Sequence, residues 1–73
     1  MNHTEPTPDR ILAVARGLFA ERGYRGTSVR AITGRAQANL GAVTYHFGSK
    51  EKLYEAVIES LVGPLEARVR AVV

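Results

Sequence analysis

Apolar residues recur every three or four positions through most of this 73-residue chain, a period that indicates amphipathic helices. In the first such segment Thr7 and Pro8 supply a helix start, and Gly23 is placed to end the helix in a left-handed conformation. The pattern predicts a first helix over about residues 8–22. No segment has the alternating pattern of a half-buried strand, so we expect an all-α fold.

Two shorter helical patterns lie between Thr27 and Phe47, TSVRAITGRAQANLGAVTYHF, and are joined by a turn of about 3–4 residues. Thr27 is the start signal and N-cap of the first, over about residues 28–35, and Asn39 opens the second, over about residues 40–46. Their inner faces carry Val29, Ile32, Ala36, Val43 and Phe47. This spacing predicts a helix-turn-helix, which carries its second helix outward to where it can enter a DNA major groove.

Gly48 then breaks the helical pattern, and Ser49 is placed to cap a fourth helix over about residues 50–62. Gly63-Pro64 predicts an interruption, after which a helical stub runs from residue 64 to Val73 without a C-cap. We therefore expect the chain to end inside a helix. The predicted core consists of Ile11, Ala15, Leu18, Phe19, Val29, Ile32, Val43, Phe47, Leu53, Val57 and Ile58.

Composition adds a charge asymmetry to this helical pattern. The net charge is +3, and seven basic residues against one acidic residue, Glu21, lie between Arg10 and Lys50. A basic surface that coincides with a helix-turn-helix is typical of a phosphate-binding footprint. Charge alone leaves open the alternative of a solubilising basic surface.

Several function classes lack support in the sequence. The polar N-terminus does not read as a signal peptide, and no apolar run approaches the roughly 20 residues that span a bilayer, so we expect a cytoplasmic chain without a membrane partner. The chain has no Cys, its histidines His3 and His46 are far apart, and it has no Gly-rich phosphate loop. We expect a protein that is not an enzyme and needs no metal or other cofactor.

Two longer motifs, ILAVARGLFAERGYRGTSVRAI and GAVTYHFGSKEKLYEAV, resemble the N-terminal DNA-binding domain of the TetR (tetracycline repressor) family of bacterial transcriptional regulators. The resemblance covers about residues 9–62. It rests on the Gly-aromatic-x-Gly-Thr-Ser run and the Tyr-His-Phe-x-Ser-Lys-Glu-x-Leu run at the family's separation. Gln37 and Ala38 depart from it, because the family usually has Gly at the first position and a small aliphatic residue or Val at the second.

The resemblance implies sequence-specific binding of double-stranded DNA by a repressor that a small-molecule effector releases. It implies a disordered N-terminal tail over residues 1–7, a helix-turn-helix core over 8–48, and over 49–73 helix 4 with the truncated start of the C-terminal helical domain. That effector and dimerisation domain would follow Val73. The full-length protein is then expected to be a homodimer on a palindromic operator, whereas this fragment would associate weakly or not at all.

Several residues of the second helix and its flanks are candidates for phosphate contact. The cap at Thr27 would leave the helix N-terminus, with its free N–H groups, facing a phosphate that Thr27 or Ser28 binds. Arg30 is exposed in any reading, and the resemblance places it within reach of a base or a phosphate; the alternative is a solvated charge. Lys50 opposes the dipole of helix 4 unless a phosphate lies beside it.

The third helix carries the candidates for sequence reading. Its outward edge has few hydrogen-bonding side chains, which predicts contacts with thymine methyls and close backbone approach rather than bidentate base contacts. Tyr45 and His46 are candidates for phosphate contact; the alternatives are a half-buried aromatic for Tyr45 and a partner to the cap of helix 4 for His46. The predicted DNA-binding residues are Thr27, Ser28, Arg30, Asn39, Leu40, Gly41, Ala42, Thr44, Tyr45, His46 and Lys50.

A second hypothesis is a small helical protein-protein interaction module. In that reading the exposed Leu40 and Tyr45, together with a stripe of Leu65, Val69 and Val72, would bind a protein partner. Salt separates the two hypotheses, because binding through several phosphates weakens steeply with salt and an apolar interface hardly responds.

Overall fold

The computed structural model describes residues 8–72, with the side chains of residues 8–63, as four α-helices. They are α1 (Pro8–Arg22), α2 (Val29–Ala36), α3 (Ala42–Phe47) and α4 (Lys50–Val72). No strand occurs in this part of the chain, which confirms the all-α prediction. The expected tail over residues 1–7, including the predicted cap Thr7, lies outside the described residues.

Helix α1 forms one wall of the core. Ile11, Ala15, Leu18 and Phe19 are buried at the spacing that a helical face requires. The helix ends as predicted at Gly23, whose φ of 77° is left-handed and whose N–H donates to the Phe19 carbonyl at 2.8 Å. The sequence therefore specifies α1 at both its inner face and its C-terminus.

The cap of α2 is Ser28, and the prediction of Thr27 for this role is wrong. The Ala31 N–H donates to Ser28 Oγ at 3.0 Å. Thr27 is fully buried instead, with its hydroxyl 2.8 Å from the Gly23 carbonyl oxygen and 3.1 Å from that of Leu18. The turn after α1 therefore uses the Thr27 hydroxyl inside the protein, where no phosphate can reach it.

The turn between α2 and α3 is longer than predicted. Helix α2 ends at Ala36, with Gln37 as a left-handed C-cap (φ 59°). Residues 39–42 form a further turn in which the Ala42 N–H donates to the Asn39 carbonyl at 2.9 Å. Asn39 therefore does not open a helix; α3 begins at Ala42, with Gly41 as an N-cap that has no side-chain hydrogen bond.

Helix α4 begins as predicted and does not stop where predicted. The Lys52 N–H donates to Ser49 Oγ at 3.1 Å, which confirms Ser49 as the cap. The helix then continues unbroken through Gly63-Pro64 to Val72, so the predicted interruption is wrong. Part of the cost of a proline in a helix is a clash of its ring with the Cβ of the residue before it, and Gly63 has no Cβ, which makes the helical conformation there less costly.

The core lies where α1, α2 and α3 pack together and against the first half of α4. Its fully buried apolar residues are Ile11, Ala15, Leu18, Phe19, Ile32, Ala36, Val43, Leu53 and Val57. Val29 and Phe47, predicted to be core residues, are half-buried against this cluster. Ile58 is 42% exposed and was predicted wrongly, because it lies about 100° around α4 from Val57, beyond the inner face.

Candidate nucleic-acid interface

The outward side of α3 is open to solvent. Val43 is buried and Phe47 half-buried on the inner side, where α3 contacts the other three helices. On the other side Tyr45 is 84% exposed and Leu40, in the preceding turn, is 49% exposed. Two large apolar side chains so placed on one short segment are unusual without a partner.

Tyr45 and His46 form an exposed pair of rings. Their centroids lie 4.9 Å apart and their planes are inclined at 77°. The alternative of a half-buried Tyr45 is therefore wrong. His46 is exposed, and Ser49 caps α4 through its own hydroxyl, so the cap does not depend on His46. Both rings project from α3 with hydrogen-bonding groups that can face a phosphate backbone.

Gly41 gives α3 a bare, accessible backbone at its start. A Cβ built at this position would meet no atom within 4 Å, and the φ of −78° suits any residue. Nothing in the protein itself therefore requires glycine there. Thr44 is exposed and Ala42 is half-buried, so the beginning of the helix presents only small side chains to solvent.

Helix α2 and the start of α4 flank α3 with positive charge. Arg30 is exposed in the first turn of α2, two residues after Ser28, and Lys50 is the first residue of α4. Between Arg22 and Lys50 the sequence contains no acidic residue, so no carboxylate of this segment opposes an approaching polyanion. Thr27 alone among the predicted site residues is completely buried.

Two arrangements at this surface escaped the sequence analysis. The Lys50 Nζ lies 4.2 Å from the ring centroid of Tyr24, in the turn after α1. Arg10 Nη2 donates to Gln37 Oε1 at 3.0 Å and so connects α1 to the left-handed residue of the helix-turn-helix. The departure from glycine at position 37 was a signal for the second arrangement, whereas no local pattern pairs residues 24 and 50.

The part of the chain that the structure describes contains no candidate metal site and no candidate membrane-spanning helix. No group of three or more His, Cys, Asp or Glu residues there could hold a metal ion. Over the same residues, none of the helices combines the length and the apolar character needed to cross a bilayer.

A short helix carried outward after a turn, beside basic side chains and within a segment, 23–49, that contains no acidic residue, defines a helix-turn-helix DNA-binding domain. Comparison with known proteins agrees: residues 11–57 match the model of the family described as bacterial regulatory proteins, tetR family. The chain belongs to this family of transcriptional regulators.

The relatives are much longer than this chain. The HTH-type transcriptional repressor Rv3405c of Mycobacterium tuberculosis is 49% identical over 51 residues, which cover 70% of this chain and 27% of the relative. The HTH-type transcriptional regulator UidR of Escherichia coli is 41% identical over 54 residues, 74% of this chain and 28% of its own length. The HTH-type transcriptional repressor KstR2 of M. tuberculosis is 38% identical over 63 residues, which cover 86% of this chain and 32% of the relative. The chain thus spans about a third or less of these relatives.

Proposed function

We propose that the chain reads a specific sequence of double-stranded DNA with α3 in the major groove. The observation that carries this proposal is the outward side of α3, where Leu40 and Tyr45 are exposed beside basic flanks. Double-stranded DNA suits such a surface, because thymine methyl groups in the major groove offer apolar contacts between two rows of phosphates.

The reading residues are those at the start of α3 and in the turn before it. Leu40, Ala42 and Thr44 contact base edges, and Asn39 lies at the rim of the same edge. Gly41 lets the helix backbone approach the groove closely, which agrees with the open space around its Cβ position. Specificity then comes mainly from apolar contacts and shape rather than from bidentate hydrogen bonds.

The positioning residues surround α3. Arg30, Tyr45, His46 and Lys50 contact phosphates, and Ser28 supplies the N-terminus of α2 while its hydroxyl caps the helix. Arg30 also reaches a base edge. Thr27, predicted as a further phosphate ligand, is left out because its side chain is buried and hydrogen-bonded within the turn.

For the whole protein we propose a homodimeric, cytoplasmic regulator without enzymatic activity, which binds a palindromic operator and is released by a small-molecule effector. The division into a helix-turn-helix core over 8–48 and, over 49–73, helix 4 with the start of an effector and dimerisation domain belongs to this proposal. Two relatives are named repressors, which favours repression over activation. The chain by itself carries one reading helix, so it should bind a half-site weakly and remain monomeric.

Two substitutions test these roles separately. Gly41→Val places a branched side chain in the groove and should reduce the ratio of specific to non-specific affinity at least tenfold. Lys50→Ala should weaken binding to all duplexes alike and reduce the slope of log affinity against log salt by up to about 0.9. The measurement is a titration of a duplex selected by the protein from a random pool, against a scrambled duplex, at two salt concentrations.

Gly17→Val is the matched control for the first substitution, because Gly17 is exposed on α1 with no atom within 4 Å of its Cβ position. It should leave the specificity ratio unchanged. A Gly41→Val protein that keeps the ratio would show that α3 does not read the sequence. Binding to a protein partner that hardly responds to salt, with no DNA binding, would instead support the interaction module.

A further inference from the structure

Lys50 occupies an electrostatically unfavourable position. It is the first residue of α4, whose N-terminal N–H groups carry partial positive charge, so an ammonium is disfavoured there. Glu51 lies in the same first turn, and the ammonium itself contacts an uncharged group: the Lys50 Nζ lies 4.2 Å from the ring centroid of Tyr24. The negative face of an aromatic ring attracts a cation within about 6 Å.

The Tyr24 ring is itself held firmly. Phe19 stacks on it at 6.0 Å between centroids, and Tyr54 meets it edge-on at 5.0 Å. Its backbone lies in a turn between Gly23, which is left-handed, and Gly26, where a Cβ would overlap the Arg22 carbonyl oxygen. Glycine is therefore favoured at both positions, and the turn is held by the Thr27 hydroxyl, which lies within hydrogen-bonding distance of the Leu18 and Gly23 carbonyl oxygens.

We infer that Tyr24 is a positioning residue for DNA binding: its ring holds the Lys50 ammonium at the edge of the recognition surface before DNA arrives. A lysine side chain loses rotamer entropy when it is fixed. Because the Tyr24 ring already restricts the Lys50 Nζ in the free protein, less of this entropy is lost when DNA binds. The inference rests on the proposed role of Lys50 as a phosphate ligand.

The test is a double-mutant cycle of Tyr24→Leu and Lys50→Ala, with affinity for duplex DNA measured over a salt series. Tyr24→Leu alone should weaken binding about two- to fivefold, the value of a cation–π contact near the surface. In the Lys50→Ala background it should cause no further loss. Tyr24→Phe keeps the ring face and should bind within about twofold of the original chain. A thermal unfolding curve is recorded for each variant first, so that affinities are compared only between variants that are folded.

Lys52→Ala is the matched control, because Lys52 is exposed on the same helix and has no ring contact in the structure's described part. The affinity losses caused by Lys52→Ala and Tyr24→Leu should multiply in the double mutant, since these two residues do not act together. If the affinity losses of Tyr24→Leu and Lys50→Ala also multiply in the double mutant, Tyr24 acts only through stability, and the inference is overturned. Tighter binding by Tyr24→Leu would overturn it as well, because the ring would then be withholding the ammonium.

A second measurement separates this inference from the proposed function. The Lys50 Cε protons should show an upfield NMR ring-current shift in the free chain, which Tyr24→Leu removes and Tyr24→Phe keeps. If that shift is present and Lys50→Ala leaves both affinity and salt slope unchanged, the contact exists but Lys50 is not a phosphate ligand, and the proposed function loses that role. If the shift is absent, the positioning role is wrong even where Lys50 binds phosphate.

Discussion

Thr27 and Ser28 are adjacent hydroxyl residues with opposite environments. Ser28 is exposed and caps α2, whereas Thr27 is fully buried with its hydroxyl between the carbonyl oxygens of Leu18 and Gly23. A sequence pattern does not distinguish them, because either residue can cap a helix. The burial of Thr27 is decided by where the turn after α1 places its Cβ.

We expect Thr27→Val to lower the free energy of unfolding by about 1–3 kcal/mol. The shape is kept, but the Leu18 carbonyl oxygen loses a buried hydrogen bond and the Gly23 carbonyl oxygen loses a part-buried one. Thr44→Val is the control, since Thr44 is exposed on α3 and its replacement should cost less than about 0.5 kcal/mol. Chemical denaturation of both variants gives the comparison. Equal stabilities would show that the buried hydroxyl contributes nothing.

At the scale of elements, the turn of the helix-turn-helix depends on one residue in a conformation that favours glycine. Gln37 has a φ of 59° and closes α2, with its N–H directed to the carbonyls of Gly34 and Thr33. The left-handed conformation costs a residue with a Cβ roughly 1–2 kcal/mol. The hydrogen bond from Arg10 offsets part of this cost and ties the turn to α1.

We therefore expect Gln37→Gly to be more stable than Gln37→Ala by about 1–2 kcal/mol, because both lose the Arg10 contact and only alanine keeps the strain. Position 34 provides the matched comparison. Gly34 lies inside α2 with open space around it, so Gly34→Ala should raise stability by up to about 1 kcal/mol. Thermal melts of the three variants give the result. If alanine is more stable than glycine at both position 37 and position 34, the left-handed assignment of Gln37 is wrong.

At the scale of the whole molecule, four helices share one small core and no disulfide reinforces it. A chain of this length has a total stability of about 4–11 kcal/mol. Leu53 contributes to this core as a fully buried residue of α4, whereas Leu61 on the same helix is 55% exposed. Loss of one core side chain should therefore affect all four helices together.

We expect Leu53→Ala to cost about 2–5 kcal/mol, a large share of the total stability. Leu61→Ala should change stability by less than about 0.5 kcal/mol, because its side chain is largely in water already. Helical circular dichroism during urea unfolding measures both. A Leu53→Ala protein that unfolds at the original urea concentration would show that α4 is not part of the cooperative unit.

The sequence by itself determined the order of the four helices, the inner faces of α1 and α3, and the caps at Gly23 and Ser49, but it predicted a fifth helix that belongs to α4. These features depend on contacts within a few residues, which a local pattern records. The exposed outward side of α3 also followed from the sequence, because Val43 and Phe47 leave one orientation for the helix.

Tertiary structure alone decided the burial of Thr27, the exposure of Ile58 and the pairing of Tyr24 with Lys50. Each depends on distances between residues that are remote in sequence. Ile58 and Val57 are equally apolar, yet only the one that meets α1 is buried. The two-glycine turn was visible in the sequence, but its use as a support for a lysine 26 positions away exists only once α4 packs beside it.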